Sequence, residues 1–194
     1  MYRQQKNHFR NNGSRESIPN RIVSLSKPHL RPIVRGKEVK SVEFGAKVNN
    51  ILVDGISFIE KLSFNEGTRF VHCLKMHKRL FGVEAKKVGG DTGYAGTENR
   101  DYCKANGIQT SFVKRGRPFG EKKKEKDLVR KELARVRAPA MEGSFGTQKE
   151  HYDLRRVKAR TKQTKILYIF FGIHTANVVQ LADRIEQRAR LAAA

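Results

Sequence analysis

The dipeptide Asp54-Gly55 separates two apolar runs, and that break constrains the fold more than any other feature of the chain. Phe44, Ala46 and Val48, then Ile51, Leu52 and Val53, lie on one side of it. Ile56, Phe58, Ile59 and Leu62 lie on the other. Asp-Gly accepts the positive backbone angles of a tight two-residue turn, so the flanking runs are expected to fold back as a hairpin. Asp54 is therefore read as a turn residue and not as a reactive acid. Downstream, Phe70, Val71, Leu74, Met76 and Leu80 recur at helical spacing, and Gly82 supplies a stop. A short strand from Ala85 to Gly90 follows, then a helix opened by Thr97 as cap and closed at Asn106-Gly107, then a strand from Ile108 to Val113. Pro139 is placed in the first turn of a further helix. Thr161 to Arg190 reads as a long buried helix with Ile166, Ile169, Phe170, Ile173, Val178 and Leu181 as its inward stripe. This order predicts an α/β layered domain.

Charge sets the partner class. The 194 residues carry 41 Lys+Arg against 19 Asp+Glu, a formal net charge of +22. Such a surface attracts polyanions because neutralising phosphates releases condensed counterions, so nucleic acid is the expected partner and an acidic membrane the weaker alternative. The longest apolar run, Ile166 to Ile173, falls short of the roughly 20 residues that span a bilayer, and Met1 to Asn7 has no apolar signal core. The expected location is the cytoplasm, with no membrane partner. Cys73 and Cys103 have no neighbouring cysteine at zinc-ligand spacing and read as packed thiols, His72 and His77 notwithstanding.

The positive charge is concentrated in two stretches. Residues 1–40 hold ten Lys+Arg against Glu16 and Glu38. Pro19, Pro28 and Pro32 lie among them, so this stretch is expected to be a basic extended arm. Residues 114–137 hold eleven Lys+Arg against four acids and form either a solvated basic helix or a mobile insertion, within a domain taken as 41–190.

Two acids stand out against this background. Asp91 follows an apolar strand and Gly89-Gly90, a position where ligands approach strand ends in open α/β sheets. The competing structural reading is a cap on the following turn. Glu142 is followed seven residues later by Lys149, two helical turns on, so both project from nearly the same face. Carboxylate to metal and ammonium to phosphate suits a helix beside a nucleic-acid backbone, although Glu and Lys near a helix start are also ordinary surface residues. Gly143 and Gly146 leave room for close approach. Lys47, Arg100, Arg115, Arg117, Arg155, Arg156, Lys158 and Arg160 are candidate phosphate contacts. Tyr94, Phe119 and Tyr152 are candidates to stack on unpaired bases, and Tyr102 is assigned to the core.

Several ordered motifs together carry a resemblance. These are Arg21 to Lys37 with its Arg31-Pro32-Ile33-Val34-Arg35-Gly36-Lys37 core, Glu43 to Lys47, Gly90 to Tyr94, Glu98-Asn99-Arg100, Lys114 to Pro118, and Glu142 to Gly146 with Lys149 and Tyr152. Over about residues 18–185 the chain resembles the catalytic C-terminal half of DDE transposases from bacterial insertion sequences. The resemblance implies a ribonuclease-H-like domain, a mixed sheet flanked by helices, in which three carboxylates hold two divalent ions, normally Mg2+. It makes Asp91 the second catalytic aspartate and Glu142 the helical glutamate, both metal ligands. Lys149, Arg115, Arg117, Arg155 and Arg156 become DNA contacts. The arginine usual four residues before that glutamate is replaced by Ala138, with Arg137 beside it.

The family's first aspartate, on its first strand, has no counterpart here, so the resemblance implies a truncated transposase lacking that strand. Its partners would be DNA at the element ends and target, with a second copy or a full-length transposase as protein partner. The family's chemistry is cleavage by water followed by attack of the freed hydroxyl on target DNA. Two alternatives remain open: a non-catalytic basic nucleic-acid-binding remnant, and an inhibitor of the full-length enzyme.

Overall fold

A computed structural model describes residues 2–10, 21–34, 42–64, 69–113 and 122–193. The hairpin is present. β3 (Lys47–Val53) and β4 (Ile56–Ser63) pair antiparallel across Asp54 (φ 47°) and Gly55 (φ 76°), the two positive angles that the Asp-Gly turn accommodates. They follow α1 (Tyr2–Arg10), β1 (Pro32–Val34) and β2 (Val42–Phe44). α1 is helical where an extended arm was expected; the three prolines of the stretch all fall after it and leave its backbone unrestricted.

α2 (Phe70–Phe81) ends on Gly82 in the left-handed conformation, as the sequence predicts. β5 (Lys87–Val88), α3 (Thr97–Ala105) and β6 (Gln109–Thr110) then form a small parallel β-α-β unit, the connection a parallel pair requires. Phe70, Leu74, Cys103, Ile108 and Phe112 make its core, with the Phe70 ring 5.2 Å from Phe112 and 5.6 Å from Tyr94. Tyr102 packs against this cluster, as assigned. Both cysteines are buried thiols. Burial, with the Glu60 charge second, pushes Cys73 up to about 11.

Among the described residues the strands form three separate two-stranded ladders, β1-β2, β3-β4 and β5-β6, where one mixed sheet was expected. β5 and β6 share only two residue pairs, too short an edge to recruit the hairpin. The architecture is mixed α/β.

Two long helices complete the fold. α4 (Lys122–His151) absorbs the basic stretch and passes straight through Pro139, which is thus interior to a helix and not at its start. Pro139 and Arg135 both face solvent, so the carbonyl that loses its intrahelical partner can be hydrated. α5 (Lys162–Ala192) is capped by Thr161, whose hydroxyl accepts from Thr164 N–H at 3.1 Å. Only one stripe of α5 is covered: Lys165, Ile169, Ile173 and Asn177 at i+4 steps. Phe170, Val178 and Leu181, expected inside, are exposed, because the elements packed against the helix, chiefly β4 and α4, cover one side of it.

By length and mean hydropathy (1.3 over its most apolar 18-residue window), α5 is long and apolar enough to cross a bilayer, contrary to the estimate from continuous apolar runs. Gly172, Thr175 and Asn177 break the run without adding charge between Ile166 and Ala182. Its packed stripe nevertheless includes the polar Lys165 and Asn177, whose partner surface is protein.

A polar clasp joins β4, α4 and α5. Asn177 Oδ1 accepts from Ser57 N–H at 2.9 Å, and its Nδ2 donates to the Ser57 carbonyl at 2.7 Å. Gln148 Nε2 donates to Ser57 Oγ at 3.2 Å and to Ser144 Oγ at 3.1 Å. Ser57, Gln148 and Asn177 are all buried, so these bonds satisfy groups that water does not reach.

Candidate functional site

Asp91 is delivered by a rigid path. After β5, Gly90 N–H donates to Ser111 Oγ, and that hydroxyl donates back to the Gly90 carbonyl, both at 2.9 Å. Gly90 also lies flat against the core: a Cβ there would stand 2.6 Å from Phe112 Cε1. The chain then turns out to solvent. Asp91 Oδ1 accepts from Thr92 N–H and from Thr92 Oγ1, capping the 3-10 turn Thr92–Tyr94, and the residue is exposed. The capping role is therefore real, and it leaves the carboxylate at the surface.

Glu142 and Lys149 both lie on α4 and both are exposed, on the face away from half-buried Met141 and Phe145 and buried Gln148. A Cβ at Gly143 or Gly146 would meet nothing within 4 Å, so the backbone there is open to approach. The two acid-bearing elements touch where Gly89, two residues before Asp91, lies against Leu133 and Arg137 of α4. Glu142 is five residues beyond Arg137, roughly 7.5 Å along the axis at about 1.5 Å per residue. Arg137, the neighbour of the missing arginine position, packs its aliphatic carbons on Gly89.

No hydrogen bond or ion pair joins Asp91 to Glu142, and among the described residues no three His, Cys, Asp or Glu side chains gather as a metal centre. Two carboxylates provide too few donors for a complete two-ion site, so the described residues do not fit one.

The basic candidates separate. Arg156, Lys158 and Arg160 are exposed, and Arg155 is exposed with Glu150 3.2 Å away. Arg115, Arg117 and Phe119 lie outside the described residues. Arg100 is committed internally: it donates to the carbonyls of Ala95 at 2.7 Å and Val113 at 2.6 Å and lies over the Phe112 ring. Tyr94 is committed as well, donating to Asn49 Oδ1 at 2.6 Å. Tyr152 lines a cleft of about 440 Å3 between α4, α5 and the hairpin turn, with Ser144, Asn177 and Asp183.

One network behind Asp91 was invisible in the sequence. The hairpin register slips between Asn49 and Asn50, leaving Glu60 as an extra residue in β4. The bulge turns Asn49 and Glu60 toward α2. Asn49 Nδ2 donates to Glu60 Oε2 at 3.0 Å, and Arg69 Nε lies 3.0 and 2.9 Å from the two Glu60 oxygens. Burial alone would raise the Glu60 carboxyl; the hydrogen bonds from Arg69 and Asn49 outweigh it and hold it below the usual glutamate range.

A carboxyl depressed on folding stabilises above its unfolded pKa, and that contribution fades as pH falls through the folded value. Glu60→Gln is expected to cost roughly 2 kcal/mol at neutral pH. The difference from wild type in urea denaturation should shrink below pH 4. A difference constant from pH 7 to pH 3 would remove Glu60 from this account.

No curated protein and no solved structure matches the chain. One family does: the model described as Transposase DDE domain matches residues 88–181, from the second residue of β5 to the middle of α5, a stretch that includes Asp91, Glu142 and Lys149. Over that stretch the chain is similar to the transposase DDE domain.

Proposed function

We propose that the protein acts on DNA in transposition through a ribonuclease-H-like arrangement. Asp91 and Glu142 contribute carboxylate oxygens to a divalent-metal site, and Lys149, Arg155 and Arg156 hold backbone phosphates; Arg115 and Arg117 belong to the same set. The single observation that carries this reading is the family match, which encloses both acids and the exposed α4 face between Glu142 and Lys149. The net charge of +22 supports DNA as the polyanion. Mg2+, when bound, would neutralise charge developing on a phosphate. Among the described residues no third carboxylate joins Asp91 and Glu142, so the chain alone is expected to cleave DNA weakly.

A second reading has its own support. Asp91 already caps a turn and no third acid joins it among the described residues, which also suits a non-catalytic DNA-binding remnant or an inhibitor of an intact transposase. One pair of measurements separates the two. DNA binding followed by anisotropy should fall steeply with salt, with a slope of about 0.9 per neutralised phosphate, and should be unchanged in Asp91→Asn and Glu142→Gln. Mn2+ titration of the same variants should show at least a tenfold loss of metal affinity. Metal binding indifferent to both substitutions would leave only the remnant or inhibitor.

A further inference from the structure

α5 has two faces, and the body of the protein uses one of them. Lys165, Ile169, Ile173 and Asn177 pack inward. On the opposite side Leu167, Phe171, His174, Val178, Leu181 and Ile185 follow one another at alternating steps of four and three residues. That spacing averages 3.5 residues, the period at which two helices interlock along a shared seam. All but His174 are exposed, from 44 % at Leu181 to 68 % at Ile185, and the His174 ring lies on Phe170 with centroids 4.2 Å apart. From Val178 to Ala192 no residue of α5 is buried. Helical turns gain little from propensity alone and are held chiefly by packing, so this end of α5 calls for a partner surface.

Lipid fits that seam poorly. Helices that lie in a membrane surface carry Lys and Arg beside their apolar stripe, whereas α5 has no Lys, Arg, Asp or Glu between Ile166 and Ala182. Spanning a bilayer would strip Lys165 and Asn177 from the protein they pack on. A second α5 fits well. Run antiparallel about a two-fold axis level with Ala176, Leu167 meets Ile185, Phe171 meets Leu181 and His174 meets Val178, each contact made twice as a self-complementary interface requires. The helix dipoles then oppose, and the unpacked C-terminal turns of each copy lie along the packed half of the other. A parallel pairing would set His174 against His174 and, one step on, Arg188 against Arg188. The six seam side chains and Phe170 expose on the order of 700 Å2, close to the roughly 800 Å2 that each partner buries in a stable interface.

We propose that the protein forms a two-fold dimer in which the α5 seams of two copies pack antiparallel. The interface needs neither Asp91 nor Glu142, so it stands or falls apart from the metal-site reading. Its salt dependence has the opposite sign to that of DNA binding. Two chains of net charge +22 repel, and screening weakens that repulsion.

Sedimentation equilibrium of the full chain, without detergent or DNA, should give the mass of two chains at micromolar concentration, with tighter association as sodium chloride is raised. Phe171→Glu and Leu181→Lys, both at exposed positions, should each weaken the dimer at least tenfold while helix content by circular dichroism stays unchanged. Both substitutions in one chain should associate more tightly than either alone, because the antiparallel register sets each new glutamate against the partner's new lysine. A parallel register sets like charge against like, so a double variant as weak as the singles would overturn the proposal. Flotation with vesicles of phosphatidylcholine and phosphatidylglycerol supplies the other arm. A monomer that floats with them, and that Phe171→Glu releases, would give the face to lipid and overturn the proposal. A chain that stays monomeric without vesicles, or a dimer indifferent to both substitutions, would overturn it as well.

Discussion

Asn177→Leu is expected to lower the unfolding free energy by about 4 kcal/mol. One side-chain amide in α5 serves both the N–H and the carbonyl of Ser57, a residue 1 % exposed, at 2.9 and 2.7 Å. Leucine fills nearly the same volume, so the loss comes from two stranded backbone groups and not from a cavity. Each costs roughly 1–3 kcal/mol when left buried and unpaired. The unfolding midpoint in urea should fall at an unchanged slope, the mark of a stability change without a change in exposed surface. A loss under about 1 kcal/mol would mean that water enters and replaces the amide. The clasp also covers the edge of β4 turned away from β3, which keeps that edge from pairing with another strand.

Gly90→Ala is expected to cost about 3 kcal/mol, because the new methyl would lie 2.6 Å from Phe112 Cε1 and 3.1 Å from its Cζ. Phe112 is core, at 5 % exposure, and cannot swing clear. The same clash pushes on the peptide leading to Asp91, so the capped turn should shift with it. Trimming the obstacle tests the cause: Gly90→Ala combined with Phe112→Leu should be more stable than the sum of the two single losses predicts. Strict additivity would place the cost elsewhere.

What was legible in the sequence is what local chemistry decides. Asp54-Gly55 marked the hairpin because few dipeptides accept two positive φ angles, and Gly82 and Asn106-Gly107 marked helix ends for related reasons. Thr161 reads as the start of the long helix, and its hydroxyl caps it. Pro139 misled, since its solvent-facing position permits a helix interior that the sequence pattern disfavours. The stripe of α5 was misassigned because hydrophobicity alone chose Phe170, Val178 and Leu181, while the buried line runs through Lys165 and Asn177, whose positions are set by partners distant in sequence. The Asn49–Glu60–Arg69 network depends on a one-residue bulge with no local signature. At the candidate site, Asp91 and Glu142 could be picked out by type and spacing, but the contact relating their elements, Gly89 on Arg137, is purely tertiary.

The interior placement of Cys73 and Cys103 has a practical corollary. With both native sulfhydryls shielded, and the first held protonated at neutral pH, maleimide dyes would ignore the unaltered protein. A pair of cysteines introduced at exposed Thr92 and Gly143 could then carry donor and acceptor fluorophores on an otherwise silent background. Energy transfer between them would gauge the spacing of the β5 and α4 acids in solution, and any narrowing of it when a duplex arrives.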